Sequence, residues 1–404
     1  MMTERKVRES TLDFGFNREV YEAAWEHPTY YTALNRTPRK EHPFSSYDDI
    51  YRQPKLIREL LKDVRPHVKK MVPQILERNI ERVLFTGIGA SYNLGVSASY
   101  LFWRLAKFPA YCIESSQYPG PLAAEKPDRT LVIGLSASGN SLETVQHFRA
   151  AREEGSYSIA FVNLDNTRLT DAAHEYYVAP GGYGFVWDYT TRLVALAALA
   201  LELGYAMGQP GDRLDAVNDA LDRIPDQMDR VFETMDARCQ GIGRMMSTMR
   251  AAVIPATNNH MPTASEMALR FEEMAHLPAR SRTIVDFLHG GVGYLDTDIC
   301  TFLLAPEEEK AEYAERAARV TREIKTPCVV IADEDEETLT SFADWVVRIP
   351  ITHPDLKPLL YVLPAQLIPY YTEAVRPGGN PDTQRTDQMR YARAFDVAFP
   401  PKSH

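Results

Sequence analysis

Ser136, Ser138 and Ser141 carry the strongest chemical signal in the chain, grouped as Leu135-Ser-Ala-Ser-Gly-Asn-Ser141. An apolar run from Thr130 to Leu135 precedes them and a helical pattern from Ser141 to Glu153 follows, so the segment reads as a strand-to-helix turn. Three hydroxyls then meet a helix N-terminus, whose N–H groups and dipole favour an anion, and Gly139 permits close backbone approach. This is a phosphate cradle without a cationic side chain. A second turn, Thr86-Gly-Ile-Gly-Ala-Ser91, follows the run Arg82 to Thr86. In an open parallel sheet, such turns at the carboxyl ends of strands form the ligand crevice. Serine and glycine also abound at helix starts for capping alone, so the pair of turns, more than either one, points to an anion site.

Two rival chemistries use residues nearby. Gly87-x-Gly89 with Glu114 resembles a dinucleotide fingerprint, but Tyr92 stands in the third glycine's place and the serine turn has no role in such a site. Glu273-Met-Ala-His276 has the spacing of a carboxylate di-metal helix, yet a single copy occurs where two are needed. No cofactor and no metal are therefore expected, and His276 reads as packing or polar support. After Leu304 the chain runs Ala305-Pro-Glu-Glu-Glu-Lys, whose charge repels phosphate, so one anion site per chain is expected.

The second half offers Glu273 and His289, the latter in Asp286-Phe-Leu-His-Gly-Gly291. A carboxylate beside a sugar carbonyl can take a proton from C2 and return it to C1 through an enediol. A histidine near neutral pKa can open a sugar ring by moving a proton between O1 and O5. Pattern alone does not single out this pair, because a lone Glu on an amphipathic helix is usually solvated.

The elements that must position these groups alternate. Strands are predicted at 82–86, 110–113, 130–135, 158–162 and 176–178, with helices at 92–105, 141–153 and 189–205. A break near Gly208 to Gly211 leads to a helix from about Pro225 to Met249 and a second series of the same kind. Its strands are 251–255, 300–304, 328–331 and 345–349, and its helices 265–274, 311–324 and 358–374. Two doubly wound α/β domains follow, each a parallel sheet flanked by helices in an αβα sandwich. The expected boundaries are an N-terminal arm at 1–45, a first domain at 46–224 and a second at 225–404.

The 404 residues suffice for two cores, and a formal charge of -10 argues against a nucleic-acid surface. The four cysteines form no C-x-x-C pair, which excludes a zinc knuckle or a thioredoxin-type motif. A polar start and the lack of any long apolar run predict a cytoplasmic protein without a membrane segment.

On these residues the chain resembles the sugar isomerase (SIS) domain family, in particular the isomerase half of glucosamine-6-phosphate synthase and the fructosamine-6-phosphate deglycases. Gly89-Ala-Ser-Tyr-Asn93 is similar to the family's Gly-Thr-Ser-Tyr-Asn turn, and Ser136-Ala-Ser-Gly-Asn-Ser141 to its Ser-x-Ser-Gly-x-Thr loop. Ala268-Leu-Arg-Phe-Glu-Glu273 and His289-Gly-Gly resemble Ala-Leu-Lys-Leu-Lys-Glu and His-Gly-Pro at an unchanged spacing. The resemblance implies phosphate held by Ser136, Ser138 and Ser141, with sugar hydroxyls contacted near Ser91 and Thr190. It implies Glu273 as the enolisation base and His289, supplied by the other subunit of a homodimer, as the ring-opening residue. Ala90, Ala137 and Arg270 stand where the family has Thr, Gln and Lys, so substrate identity is where this chain departs. No glutaminase domain is expected ahead of the pair.

These readings favour cofactor-free aldose–ketose isomerisation of an anionic C6 sugar. The same Glu and His could instead deaminate an amino-sugar phosphate or cleave a fructosamine 6-phosphate. A sugar-phosphate-sensing module without catalysis is the alternative of another class.

Overall fold

The computed structural model describes residues 39–117, 126–182, 186–304, 311–383, 385 and 388–398. The chain divides into two compact units, one holding residues 59–209 and the other 38–58 with 210–382.

In the first unit, β1 (Arg82–Gly87), β2 (Ala110–Glu114), β3 (Thr130–Leu135), β4 (Tyr157–Val162) and β5 (Glu175–Val178) form one parallel sheet in the order β2-β1-β3-β4-β5. The strands β3 and β4 are buried at every position, as continuous apolar runs covered on both faces must be. On one face Phe148 and Val145 of a helix at Leu142–Glu153 pack on Leu84, Val132 and Ala160. On the other, a helix at Ala90–Leu101 lies so close that a Cβ at Gly95 would meet the Cys112 sulfur at 2.5 Å and Phe85 Cβ at 3.1 Å. The apolar helix Trp187–Ala206 packs on that helix.

The second unit repeats the plan. Its strands β6 (Ala251–Ala256), β7 (Ala279–Thr283), β8 (Ile299–Leu304), β9 (Cys328–Asp333) and β10 (Trp345–Ile349) run parallel in the order β7-β6-β8-β9-β10. A helix at Ala311–Ile324 covers one face through Ala314, Ala317 and Ala318. The helices Met261–Glu273 and Lys357–Ala374 pack together, and Phe271 of the former stands 5.3 Å from Phe302 of β8. In chain order the described helices used below are α1 (Ser45–Tyr51), α2 (Gln53–Leu76), α3 (Ala90–Leu101), α4 (Leu142–Glu153), α5 (Arg168–Ala172), α6 (Trp187–Ala206), α7 (Gly211–Met246), α8 (Met261–Glu273), α9 (Ala311–Ile324) and α10 (Lys357–Ala374).

Three features differ from the sequence expectations. The units divide at 209/210, not 224/225, because α7 starts at Gly211 and carries Pro225 inside it. The stretch 46–58 belongs to the second unit: Phe44 N–H donates to the Tyr370 hydroxyl at 3.0 Å, and the Ser45 and Ser46 N–H groups donate to Asp382 at 2.8 and 3.0 Å. The edge strand β7 was not expected, since Ala-Arg-Ser-Arg-Thr has no apolar face to read and its identity rests on pairing with β6. The expected arm, residues 1–45, lies outside the described residues up to position 38, and the acidic stretch 305–310 lies outside them as well.

Candidate active site

The strand order places the reversal of winding in the first unit between β1 and β3, which pair directly with Thr86 opposite Gly134. A crevice opens outside the carboxyl ends of strands at such a point. The two expected turns both leave from here.

The serine turn is built to present hydroxyls. Ser136 Oγ lies 3.1 Å from Ser141 Oγ and 3.4 Å from Ser138 Oγ. Gly139 N–H donates to Ser136 Oγ at 3.0 Å and Asn140 N–H to Ser138 Oγ at 3.2 Å. An oxygen that already accepts a backbone N–H still holds its own proton, which is what an acceptor-only phosphate oxygen requires. Ser141 sits at the N-cap of α4 yet makes no side-chain capping bond. Its hydroxyl points to Ser136, so capping does not explain it.

The turn is fastened from behind. Asn140 Oδ1 accepts Arg168 N–H at 3.1 Å, Leu169 N–H donates to Gly139 O at 3.0 Å, and Asn163 N–H donates to Ala137 O at 3.0 Å. Gly139 has φ +68°, and a Cβ there would stand 2.2 Å from Thr167 Oγ1, so glycine is required twice over. Ala137 is buried, and its carbonyl is the acceptor of the Asn163 N–H.

The first turn bends at Gly89, φ 56°, and α3 begins at Ala90. Ser91 is buried in its first turn, and Arg192 Nη1 donates to Ser91 Oγ at 3.0 Å. Arg192 is fully buried on α6, its Nε donating to Asp188 O at 2.9 Å and its Nη2 3.7 Å from Asp188 Oδ2. Thr190, buried, lies two residues earlier on the same helix. The serine turn carries no cation, but the neighbouring turn is therefore backed by one. Arg192 escaped the sequence reading; the signal was present, a single Arg followed by eleven residues that are apolar save Glu202.

Beneath both turns lies a second missed feature. Thr86 Oγ1 is 2.7 Å from His147 Nδ1 and 2.8 Å from Ser115 Oγ, which is 3.0 Å from Thr144 Oγ1. All four side chains are buried. They link the ends of β1 and β2 to the first turns of α4. Burial pushes the His147 pKa down to about 4, so the ring is neutral at ordinary pH.

In the second unit, Glu273 closes α8 with its side chain partly open to solvent. Arg270 Nη1 donates to Glu273 Oε2 at 2.7 Å, while Arg270 Nε donates to the fully buried Glu266 at 2.7 Å. The helix ends through a left-handed residue, His276 at φ 52°, and Leu277 N–H donates back to Phe271 O at 3.0 Å. His276 Nδ1 is 3.1 Å from Glu373 of α10, and Arg376 Nη1 donates to Glu373 at 2.7 Å and to Ala275 O at 2.6 Å. His276 is thus polar support for the end of the helix that carries Glu273. His289 stands exposed on the helical turn after β7, and among the described residues no hydrogen bond or ion pair involves it. The structure therefore groups Ser136, Ser138, Ser141, Gly139 and Ala137 in one turn, Gly89, Ala90 and Ser91 in the next, and Arg270 with Glu273, but leaves His289 apart.

Two parallel sheets of identical strand order, with a hydroxyl-rich turn at the switch point of the first, define a tandem α/β class of protein. The SIS domain model matches residues 78–202 and again 248–376, and the chain belongs to the SIS domain family. In sequence it is similar to the isomerizing glutamine–fructose-6-phosphate aminotransferase of Thermococcus kodakarensis, 25% identical over 372 residues covering 91% of this chain and 60% of that protein. The chain thus spans less than two thirds of that relative's length. In fold it is similar to the C-terminal domain of glucosamine-fructose-6-phosphate aminotransferase from Francisella tularensis, with a TM-score of 0.74 at 17% identity, covering 83% of this chain and 97% of that one. It is also similar to tagatose-6-phosphate ketose/aldose isomerase from Escherichia coli, with a TM-score of 0.72 at 15% identity, covering 86% and 97%. No described helix is long and apolar enough to cross a membrane.

Proposed function

We propose that this protein is an aldose–ketose isomerase acting on a phosphorylated or similarly anionic six-carbon sugar. The observation that carries the reading is the serine turn, where three hydroxyl oxygens lie within 3.4 Å of Ser136 Oγ or are Ser136 itself, and Ser141 declines its capping role. Hydroxyl protons in such a turn, with the N-terminal N–H groups of the 12-residue α4, suit a phosphate.

In this reading Glu273 removes the proton from C2 of the open-chain aldose, electrons move to the carbonyl oxygen O1, and an enediolate forms. A proton passes from O2 to O1, and the same carboxyl returns its proton to C1 as the C2–O2 carbonyl forms, giving the ketose with no net change in atoms or charge. Arg270 orients the carboxylate through its bond to Oε2. His289 moves a proton between O1 and O5 to open the ring, from the neighbouring subunit of a homodimer, and its exposure fits a residue used outside its own fold. A ketose/aldose isomerase from Escherichia coli is among the proteins of similar fold, which supports this class of reaction.

The test is proton exchange. Incubation with D-fructose 6-phosphate in heavy water should place deuterium at C2 of the aldose product, read by NMR. Glu273→Gln should abolish exchange and still bind inorganic phosphate. Exchange that survives in Glu273→Gln removes that residue as the base. Ammonia released from an amino-sugar phosphate would favour a deaminase, and binding without exchange for every six-carbon sugar phosphate would favour a sensor.

A further inference from the structure

We infer that Arg192 is a specificity-determining residue of the first unit: it fixes the Ser91 hydroxyl as a hydrogen-bond donor, so the site favours a ligand that presents an ionised or carbonyl oxygen there. The inference rests on the reading above that a sugar phosphate occupies the two turns.

Proton bookkeeping carries it. A guanidinium has donors and no acceptor, so in the 3.0 Å contact Arg192 donates and Ser91 Oγ accepts. The hydroxyl has one proton, and among the described residues no hydrogen bond uses it. A buried serine whose lone pair is held by a cation is polarised toward donation, and charge-assisted bonds of this kind are the strong ones. The direction is not easily reversed, because Arg192 is itself held: fully buried, with Nε on the Asp188 carbonyl and Nη2 3.7 Å from the Asp188 carboxylate.

A sugar hydroxyl can serve either as donor or acceptor and would be recognised weakly here. An acceptor-only oxygen cannot be mistaken for a donor and gains the full benefit of the polarised proton. With phosphate on the serine turn, the ligand class this selects is a phosphorylated sugar bearing a second electron-rich oxygen, such as a carbonyl, an enediolate or a carboxylate, over the corresponding phosphorylated polyol.

Calorimetric titration with inorganic phosphate, D-glucitol 6-phosphate and D-gluconate 6-phosphate tests this on the full chain. The wild type should bind the gluconate about tenfold or more tighter than the glucitol, the worth of one hydrogen bond to a charged group. Ser91→Ala and Arg192→Met should each erase that preference while leaving inorganic phosphate affinity unchanged, and Arg192→Lys should restore part of it. In the Ser91→Ala background, Arg192→Met should add nothing to the loss of preference. If Arg192→Met does not fold, Ser91→Ala, which leaves the Arg192–Asp188 pair intact, still decides the outcome. No preference in the wild type, or variants that weaken all three probes alike, overturns the inference. Binding of inorganic phosphate with no gluconate preference overturns this inference alone, whereas binding of none of the three overturns both.

Discussion

Arg270 donates from Nη1 to Glu273 Oε2 at 2.7 Å, three residues further along α8, while its Nε is tied to Glu266 at 2.7 Å. Glu273 is partly open to solvent; Glu266 and Arg270 are not. The carboxylate proposed as the base is thus aimed by a cation whose own position is set from the interior. Arg270→Met should cost about 3–5 kcal/mol, because it strips the buried Glu266 of its guanidinium. Urea denaturation should show the loss, and Glu266→Gln combined with Arg270→Met should recover much of it. Equal stability of wild type and Arg270→Met would show that the guanidinium is not needed to keep Glu266 buried.

The serine turn should behave as additive neutral donors. Ser136→Ala, Ser138→Ala and Ser141→Ala should each weaken inorganic phosphate by several-fold, about 1 kcal/mol apiece, read by calorimetry. Ser141→Ala should leave thermal stability almost unchanged, since its hydroxyl caps nothing. A drop as large as a lost N-cap would return Ser141 to a structural role.

Gly139→Ala should destabilise by about 1–3 kcal/mol from backbone strain alone, with the clash at Thr167 adding to it. Phosphate binding should fall with it, because Ser136 Oγ is held by the Gly139 N–H. A thermal melt beside a phosphate titration would separate the two effects.

His147 gives a pH signature. Its pKa near 4 in the folded chain lies below the ordinary histidine value near 6.5, so the unfolded chain binds the extra proton between those limits. Its contribution is fully present above about pH 6.5, is lost as pH falls toward 4, and amounts to about 3 kcal/mol across that window. His147→Asn, which keeps a group at the Nδ1 position for Thr86, should flatten this slope and retain fold and ligand affinity better than His147→Leu. Parallel stability–pH curves for wild type and His147→Asn would assign the slope to another group.

Glu373 is buried, which favours its neutral form, yet His276 and Arg376 hold its pKa below the usual carboxylate value. The clamp is stabilising above that usual value and is lost as pH falls through the lowered one. Arg376→Ala should therefore destabilise the protein at pH 7 and lose less at low pH, as chemical denaturation at the two extremes would show.

Much of the fold was legible because the buried strands are continuous apolar runs and the turns between them are rich in Gly and Ser; β8, β9 and β10 fall where those runs lie. The serine turn was legible for the same reason, since its chemistry is contiguous in sequence. The strand β7 was not, because edge strands need no apolar pattern. Nor was the place of α1, which is fixed by Asp382 and Tyr370, more than three hundred residues away.

What the sequence by itself determined is the set of local choices: alternating buried strands and helices used twice, and a hydroxyl-rich turn of the right composition for an anion. What only the tertiary structure decided is which distant polar groups are sealed together. Arg192 meets Ser91 across a hundred residues, and His147 meets Thr86 across sixty-one. Local pattern follows from the periodicity of one segment against water, whereas a buried polar side chain is defined by the partner that offsets its desolvation, and that partner is chosen by packing.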